Sequence, residues 1–512
     1  MDEESLRRIG AKREAARTGI GAGGADKLRA QNKLTARERL EALLDPGSFE
    51  EIALLARSSD RALRSRTPAD GLIGGFGEIA GRPVAVVSED ATVLAGTRGK
   101  VGDAKVARIR GLALRHGMPF IALQEAGAGR FQELNGVESI NLGQRFRQHL
   151  ELSGRVPQVG AIMGACFGGP SFTSAQSDFI PMVRDNGFVG VSGPPLVKAG
   201  LGREVSAGEI GGWEKASRAN GTVDYVAADD RDCLESIKRF LSFLPQHCGE
   251  LPPLAPPAPA PVDSTEGQAR IAALVPEDRR KAYDALALVR LLADEGSVFA
   301  YKPDFGKSVV AAWCRIGGMP VGIVASNPMH FAGAITAPAA IKIRRFVDVC
   351  DAFHLPLVFL TDSPGFMVGP EVETERMINL VAQLMNCVLG ATVPKLTIVL
   401  RKAIGVAYMA MGGKVAGPDL LLAWPTAEFE AMGPEAGVEL GFAKEIRSAA
   451  DPSARRAELL AWLREQSGAD LAAEQGYIDD IVLPGETRDA IRRFLRRVRR
   501  SLKPGFKHAV MP

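Results

Sequence analysis

The chain has 512 residues, 46% hydrophobic and 24% charged, with mean hydropathy near zero, as expected of a globular protein with at least two domains. A net charge of +3 is small for this length and gives no reason to invoke a nucleic-acid or membrane partner. Cys166, Cys233, Cys248, Cys314, Cys350 and Cys387 form no CxxC pair and no metal-ligand spacing with the six histidines, which sets aside a zinc site and a disulfide framework.

In chain order, "MDEESLRRIGAKREAAR" reads as a charged helix without the apolar core of a signal peptide, and no run of 18 apolar residues follows, so cytoplasm is the expected compartment. The first half then predicts a strand at "PVAVVS", an amphipathic helix at "DAKVARIRGLALRH", a buried strand at "PFIALQ", and after a further helix the strand of "VPQVGAI". Next comes "LPPLAPPAPAPVDSTEG" (Leu251 to Gly267), whose six prolines in eleven residues predict an extended spacer. The boundaries read as 1–250 for an N-terminal domain, 251–267 for the linker and 268–512 for a C-terminal domain. The second half repeats the series at "PVGIVA", "AAIKIRRFVDVCDAF", "PLVFLT" and the "VP" strand, and three proline anchors pair at one offset. Pro83 pairs with Pro320, Pro119 with Pro356 and Pro157 with Pro394, all at the same spacing in the chain. A duplicated α/β domain with sheets covered on both faces follows.

In α/β units, ligands sit at loops after buried strands. Here these are "QEAGAGRF", "TDSPGFMVG", "GACFGGPSF" and "RKAIGVAYM". Gly168-Gly169 ends one strand and, at the same offset, Gly405-Val406 ends another. Small residues at a strand-to-helix turn let a ligand approach main-chain N–H groups, and two such donors form an oxyanion hole suited to a thioester enolate. No GxSxG elbow, GxxxxGK[ST] phosphate loop or HExxH motif is present. The basic segment "LAGTRGKVGDAK" offers Arg98, Lys100 and Lys105 for phosphates, or simply a solvated loop.

The segments "KLTARERLEALLDPGSFEE", "GACFGGPSFTSAQSDFIPMV", "RFVDVCDAFHLPLVFLTDSPGF", "VPKLTIVLRKAIGVAYMAMGG", "AWPTAEFEAMGPEAGVE" and "GYIDDIVLPGETR" resemble, in order and from about residue 5 to 512, the carboxyltransferase β subunit of biotin-dependent acyl-CoA carboxylases of the propionyl-CoA and methylcrotonyl-CoA type. The resemblance implies tandem crotonase-like (ClpP-like β-β-α superhelix) domains in a hexamer, a trimer of dimers, with each active site between the N-domain of one subunit and the C-domain of another. It also implies an α subunit carrying biotin carboxylase and biotin-carrier domains, since this chain has no Met-Lys-Met site. On this resemblance, Val406 and Ala407 N–H groups hold the ureido oxygen of carboxybiotin, with Gly405 and Tyr408 beside it, and Gly168 and Gly169 hold the acyl-CoA carbonyl. Carboxybiotin releases CO2, the biotin anion takes the α-proton, and the enolate attacks CO2 without a side-chain base; no metal is implied. Phe172, Met409 and Trp213 fall at the acyl pocket, and Arg98, Lys100 and Arg130 at the CoA phosphates.

Departures from the family pattern bear on the substrate. Val406 stands where the C-domain turn commonly has glycine, narrowing the approach and resisting φ > 0. Met409 replaces an aspartate, "AGAGR" replaces "SGGAR", and Trp213 and Ala216 replace an alanine and a histidine. Two alternative readings are a biotin-dependent decarboxylase subunit and a catalytically silent assembly homologue. The C-terminal segment "RDAIRRFLRRVRRSLK" predicts an amphipathic helix with Ile491, Phe494, Leu495, Val498 and Leu502 inward.

Overall fold

Each half of the chain builds one eight-stranded sheet, and the two sheets repeat one topology strand for strand. The computed structural model describes residues 2–18 and 22–512. The first sheet contains β1 (Glu50–Glu51), β2 (Leu72–Ile79), β3 (Arg82–Glu89), β4 (Phe120–Ala126), β5 (Gln158–Phe167), β6 (Pro181–Val183), β7 (Phe188–Gly190) and β8 (Tyr225–Ala227). Their order is β1-β2-β3-β4-β5-β6-β8, with β7 also on β5. The second contains β9 (Phe299–Tyr301), β10 (Val309–Ile316), β11 (Met319–Ser326), β12 (Leu357–Ser363), β13 (Lys395–Ile404), β14 (Leu420–Ala423), β15 (Glu428–Glu430) and β16 (Asp480–Ile481). Its order is β9-β10-β11-β12-β13-β14-β16, with β15 also on β13.

The first three strands of each sheet run antiparallel and the rest parallel. The antiparallel hairpins turn on Ala80-Gly81 (φ 51° and 72°) and on Gly317-Gly318 (φ 62° and 77°); two successive positive φ values match the right-handed twist of the flanking strands. The parallel connections need longer crossovers, supplied by the helices Lys100–His116 and Ala337–Ala352. Each helix buries a lysine at the equivalent point of the repeat. Lys105 Nζ donates to the Leu72 carbonyl, and Lys342 Nζ to those of Phe305 and Val309.

A shared irregularity shapes the site end of both sheets. The β4–β5 register shifts between Gln124 and Ala126, and the β12–β13 register between Thr361 and Ser363. The residue inside each shift is an acid. Glu125 pairs with Lys33 and Arg39, and Asp362 with Arg401 and Lys402, so each irregularity re-aims a carboxylate at buried cations. Gly96 and Gly333 press onto these points: a Cβ would stand 2.2 Å from the Glu125 carbonyl oxygen in one case and 2.5 Å from that of Asp362 in the other.

By contacts the chain forms two units, Met1–Glu250 with Gly505–Pro512, and Leu251–Pro504. Residues 251–260 are without helix or strand. Carbonyls of Pro252, Pro253 and Ala258 accept from Arg499, Arg315 and Arg488, so the proline-rich stretch is held on the second unit, and the helix Thr265–Leu274 starts within the segment expected as spacer. In the C-terminal helix, Thr487–Arg499, the residues Ile491, Phe494, Leu495 and Val498 are buried as predicted, whereas Leu502 lies past its end.

Candidate functional site

At the first turn β5 ends at Phe167, and Gly168 takes φ 70°, ψ −133°, before the short helix Gly169–Ala175. The sequence expectation of a donor pair is corrected here. The Gly168 N–H points back into the sheet and donates to the carbonyls of Gly190 (3.4 Å) and Val191 (3.1 Å), extending the β5–β7 ladder. Pro170 has no N–H to offer. Gly169 N–H, at the first helical position, has no acceptor among the described residues, so one donor of the expected two remains.

Sequence reasoning missed the side chain that lies over this turn. A Cβ on Gly169 would stand 2.4 Å from Arg145 Nη1, so the missing side chain makes room for a guanidinium. Arg145 comes from the helix Gln144–Leu152, is 10% exposed, and donates from Nη2 to Asp103 at 2.9 Å. Beside it Phe146 meets Phe172 edge-on, with centroids 6.0 Å apart, and Phe172 is 41% exposed. Gly169, Arg145, Phe146 and Phe172 thus share one place. Nothing in "GQRFRQHLEL" separates Arg145 from its exposed neighbour Arg147, which pairs with Glu151.

At the second turn Gly405 takes φ 61° and opens the helix Gly405–Ala410. Val406 has no positive φ; the glycine before it carries that conformation, and the expected strain on the β-branched residue does not arise. No acceptor among the described residues takes the N–H of Val406 or Ala407. The Val406 side chain is 49% exposed, while Ala407 is buried. Tyr408 packs edge-on against Phe429 at 5.9 Å and its hydroxyl accepts from the Lys414 N–H at 3.2 Å; burial raises its pKa. Met409 is half-buried on the same helix.

The chain as a whole is similar to known proteins. The chain matches the carboxyl transferase domain over residues 27–504. It is 36% identical to the carboxyltransferase subunit of propionyl-CoA carboxylase from Haloferax mediterranei, covering 100% of this chain and 99% of that one. It is also 36% identical to the methylmalonyl-CoA carboxyltransferase 12S subunit of Propionibacterium freudenreichii subsp. shermanii, covering 100% and 97%. The chain belongs to the carboxyl transferase family. The transcarboxylase 12S crystal structure, described as a hexamer with methylmalonyl-CoA and methylmalonic acid bound, superposes with a TM-score of 0.93 at 35% identity, covering 100% of this chain and 99% of that one. A single-chain, multi-domain long-chain acyl-CoA carboxylase gives 0.85 at 33%, covering 96% of this chain and 49% of that one. The tandem sheets therefore have the crotonase-like architecture.

The remaining expected site residues of this carboxyltransferase fall elsewhere. Arg98 and Arg130 are corrected as phosphate ligands, because both guanidinium groups are buried and already paired. Arg98 is 2% exposed and bonds Glu89 and Gln124; Arg130 bonds Asp70 at 2.6 Å, Glu133 at 2.7 Å and the Thr97 carbonyl at 2.8 Å. Lys100 is at the surface with Glu138, 2.9 Å away. Trp213 packs on the core around Ile162, Cys166 and Val189, between the guanidinium groups of Arg184 (5.0 Å) and Arg218 (4.8 Å). It lines a surface groove of about 620 Å3 to which the Gly168–Phe172 turn contributes nothing. Ala216 is wholly buried in that core. Among the described residues no group of histidine, cysteine, aspartate and glutamate has the arrangement to hold a metal, and no helix is long and apolar enough to cross a membrane.

Proposed function

We propose that this chain directs CO2 from carboxybiotin on a partner subunit to an acyl-CoA carbon, with the thioester oxygen at the Gly169 N–H and the ureido oxygen at the N–H groups of Val406 and Ala407. It is the carboxyltransferase subunit of a biotin-dependent acyl-CoA carboxylase. The observation that carries the assignment of roles is the pair of turns at equivalent points of the two halves, each with a positive-φ glycine and main-chain donors that no acceptor among the described residues takes.

The second turn fits a ureido oxygen: its two successive N–H donors are unengaged and the Val406 position is open to solvent. Carboxybiotin, when bound, supplies both the CO2 and the base. The chain's own part is to hold and orient. Main-chain donors fixed by β5 and β13 require no reorganisation as charge develops on an oxygen, and holding both reactants removes the entropy of bringing them together. A partner with biotin carboxylase and biotin-carrier domains, six copies of this chain and a cytoplasmic location complete the proposal; the relatives' names as subunits and as biotin-dependent support a partner, and the hexamer described for the 12S structure supports six copies.

The test is ATP-dependent fixation of labelled bicarbonate by the chain with a biotinylated partner, over acetyl-, propionyl-, butyryl- and branched unsaturated acyl-CoAs. Product from at least one is expected. Gly169→Pro, which deletes the donor at a first helical position that tolerates proline and whose Cβ also displaces the Arg145 guanidinium from over the turn, is expected to lower kcat at least about 100- to 1,000-fold. Turnover unchanged in this variant would remove the Gly169 assignment; no product across the panel with the partner bound would favour the decarboxylase or silent-homologue reading.

A further inference from the structure

Arg145 takes no part in the chemistry above, yet its guanidinium lies where a Cβ on Gly169 would point, 2.4 Å from that position. Its side chain is nine-tenths buried, and only Nη2 is engaged, by Asp103. Nη1, the atom that lies over Gly169, has no acceptor among the described residues.

The charge around it is not balanced locally. Behind Arg145 lie the buried Arg110 and Arg98, and the acids among them are Glu89 and Asp103. Three cations face two anions. Among the described residues Arg110 has a single long hydrogen bond, from Nη1 to the Arg145 carbonyl at 3.5 Å, its buried Nε has no hydrogen-bond partner, and its guanidinium lies 4.9 Å over the Phe120 ring rather than on an anion. A developing negative charge beside Nη1 would complete this group, in surroundings where a charge-assisted bond is stronger than in water. The repeat supplies a contrast. At the position equivalent to Arg145 the second half has Ala382, so the cation belongs to the turn assigned to the acyl-CoA and not to the turn assigned to biotin.

We infer that Arg145 Nη1 is a second, cationic donor to the thioester oxygen held by Gly169 N–H, replacing the donor that Gly168 directs into the sheet. The inference rests on the Gly169 reading. Its hydrogen bond strengthens as the α-carbon loses its proton and charge moves onto that oxygen, so it acts on turnover more than on substrate binding. It also gives Gly169 a reason to be glycine apart from ligand approach, since any Cβ there would displace the guanidinium.

The experiment compares wild type, Arg145→Gln and Arg145→Lys. Two probes are titrated onto the purified chain: a CoA thioether ending in a nitroalkyl group, ionised to its nitronate, and a neutral dethia acyl-CoA. Steady-state kinetics are measured on the same variants with the biotinylated partner. Wild type is expected to prefer the nitronate. Arg145→Gln should lose about 100-fold of nitronate affinity and about 100-fold in kcat, with KM and neutral-probe affinity within about threefold; Arg145→Lys should recover most of the loss. If wild type prefers the nitronate and Arg145→Gln keeps that preference, the role of Arg145 is overturned while the Gly169 reading stands. If wild type shows no preference, the Gly169 reading fails first. Equal loss on both probes would make Arg145 a structural residue and also overturn the inference.

Discussion

Ala128 holds φ 99° in the loop after β4, where its repeat counterpart Gly365 holds φ 142°. An alanine in that region is strained by its Cβ, a glycine is not, so one half of the duplication keeps the residue the backbone requires and the other does not. Ala128→Gly should therefore stabilise the first unit by about 1 kcal/mol in urea unfolding; a loss would show that the Ala128 Cβ contributes more by packing than it costs in strain. The side chain of Glu430, on β15 beside Ile404, is 2% exposed with Arg279 Nη1 at 3.9 Å. Burial pushes its carboxyl up to about 7, against the pull of Arg279. The folded chain thus binds this proton more tightly than the unfolded chain, where the group titrates near about 4.3. Its contribution to stability is complete below that pH and is lost as pH rises through about 7. Glu430→Gln is expected to raise Tm at pH 8 and leave it nearly unchanged at pH 4.5; equal shifts at both would exclude the charge as the cause.

At the scale of elements, the loop between β3 and the Lys100–His116 helix shows where residue type misleads. "LAGTRGKVGDAK" reads as a basic surface, yet Arg98 turns inward to Glu89, and Arg130 of the loop after β4 joins Asp70 and Glu133. Asp70 is 60 residues from Arg130 in sequence, so no local pattern announces the pair. Gly99 belongs to the same construction, since a Cβ there would stand 2.5 Å from Arg130 Nη1 and 2.6 Å from Glu133. These buried pairs fasten two loops at the end of the sheet that carries the first turn. Arg130→Met leaves two buried carboxylates without their cation, and a cost of about 3–5 kcal/mol is expected in the unfolding of the first unit. A change under about 1 kcal/mol would place the group in solvent. The strand and helix series, in contrast, was legible: β3, β4, β5 and their counterparts fall where β-branched runs stand, because a strand covered on both faces must be apolar throughout. The short strands β1, β7, β9 and β15 carry no such run and appear only through the neighbours they pair with.

For the whole molecule the tail is the clearest case of a contact that chain position conceals. Gly505–Pro512 belongs with the first unit. The Gly505 N–H donates to the Cys248 carbonyl at 2.6 Å, Ser153 and Val510 bond each other, Phe506 lies 4.0 Å under Arg155, and Gly154 leaves room for the His508 carbonyl. Deleting residues 505–512 should cost the first unit about 2 kcal/mol, mainly from burial of Val510. Amide exchange at residues 152–155 and 248 should then rise, with the second unit unaffected; unchanged protection would mean the tail is not holding that segment. The duplication, the α/β class, the family and the two glycine turns were all determined by the sequence itself. Repeated anchors and strand-ending glycines are local or periodic signals that survive without coordinates. Only the tertiary structure decided which N–H groups remain free. Gly168 loses its donor to β7, Gly405 carries the positive φ that Val406 was expected to resist, and Arg145 reaches Gly169 because the Gln144–Leu152 helix is placed beside the turn. Each depends on what lies next to a residue in space, and hydrogen-bond satisfaction and charge pairing between segments far apart in the chain leave no mark in the order of the residues.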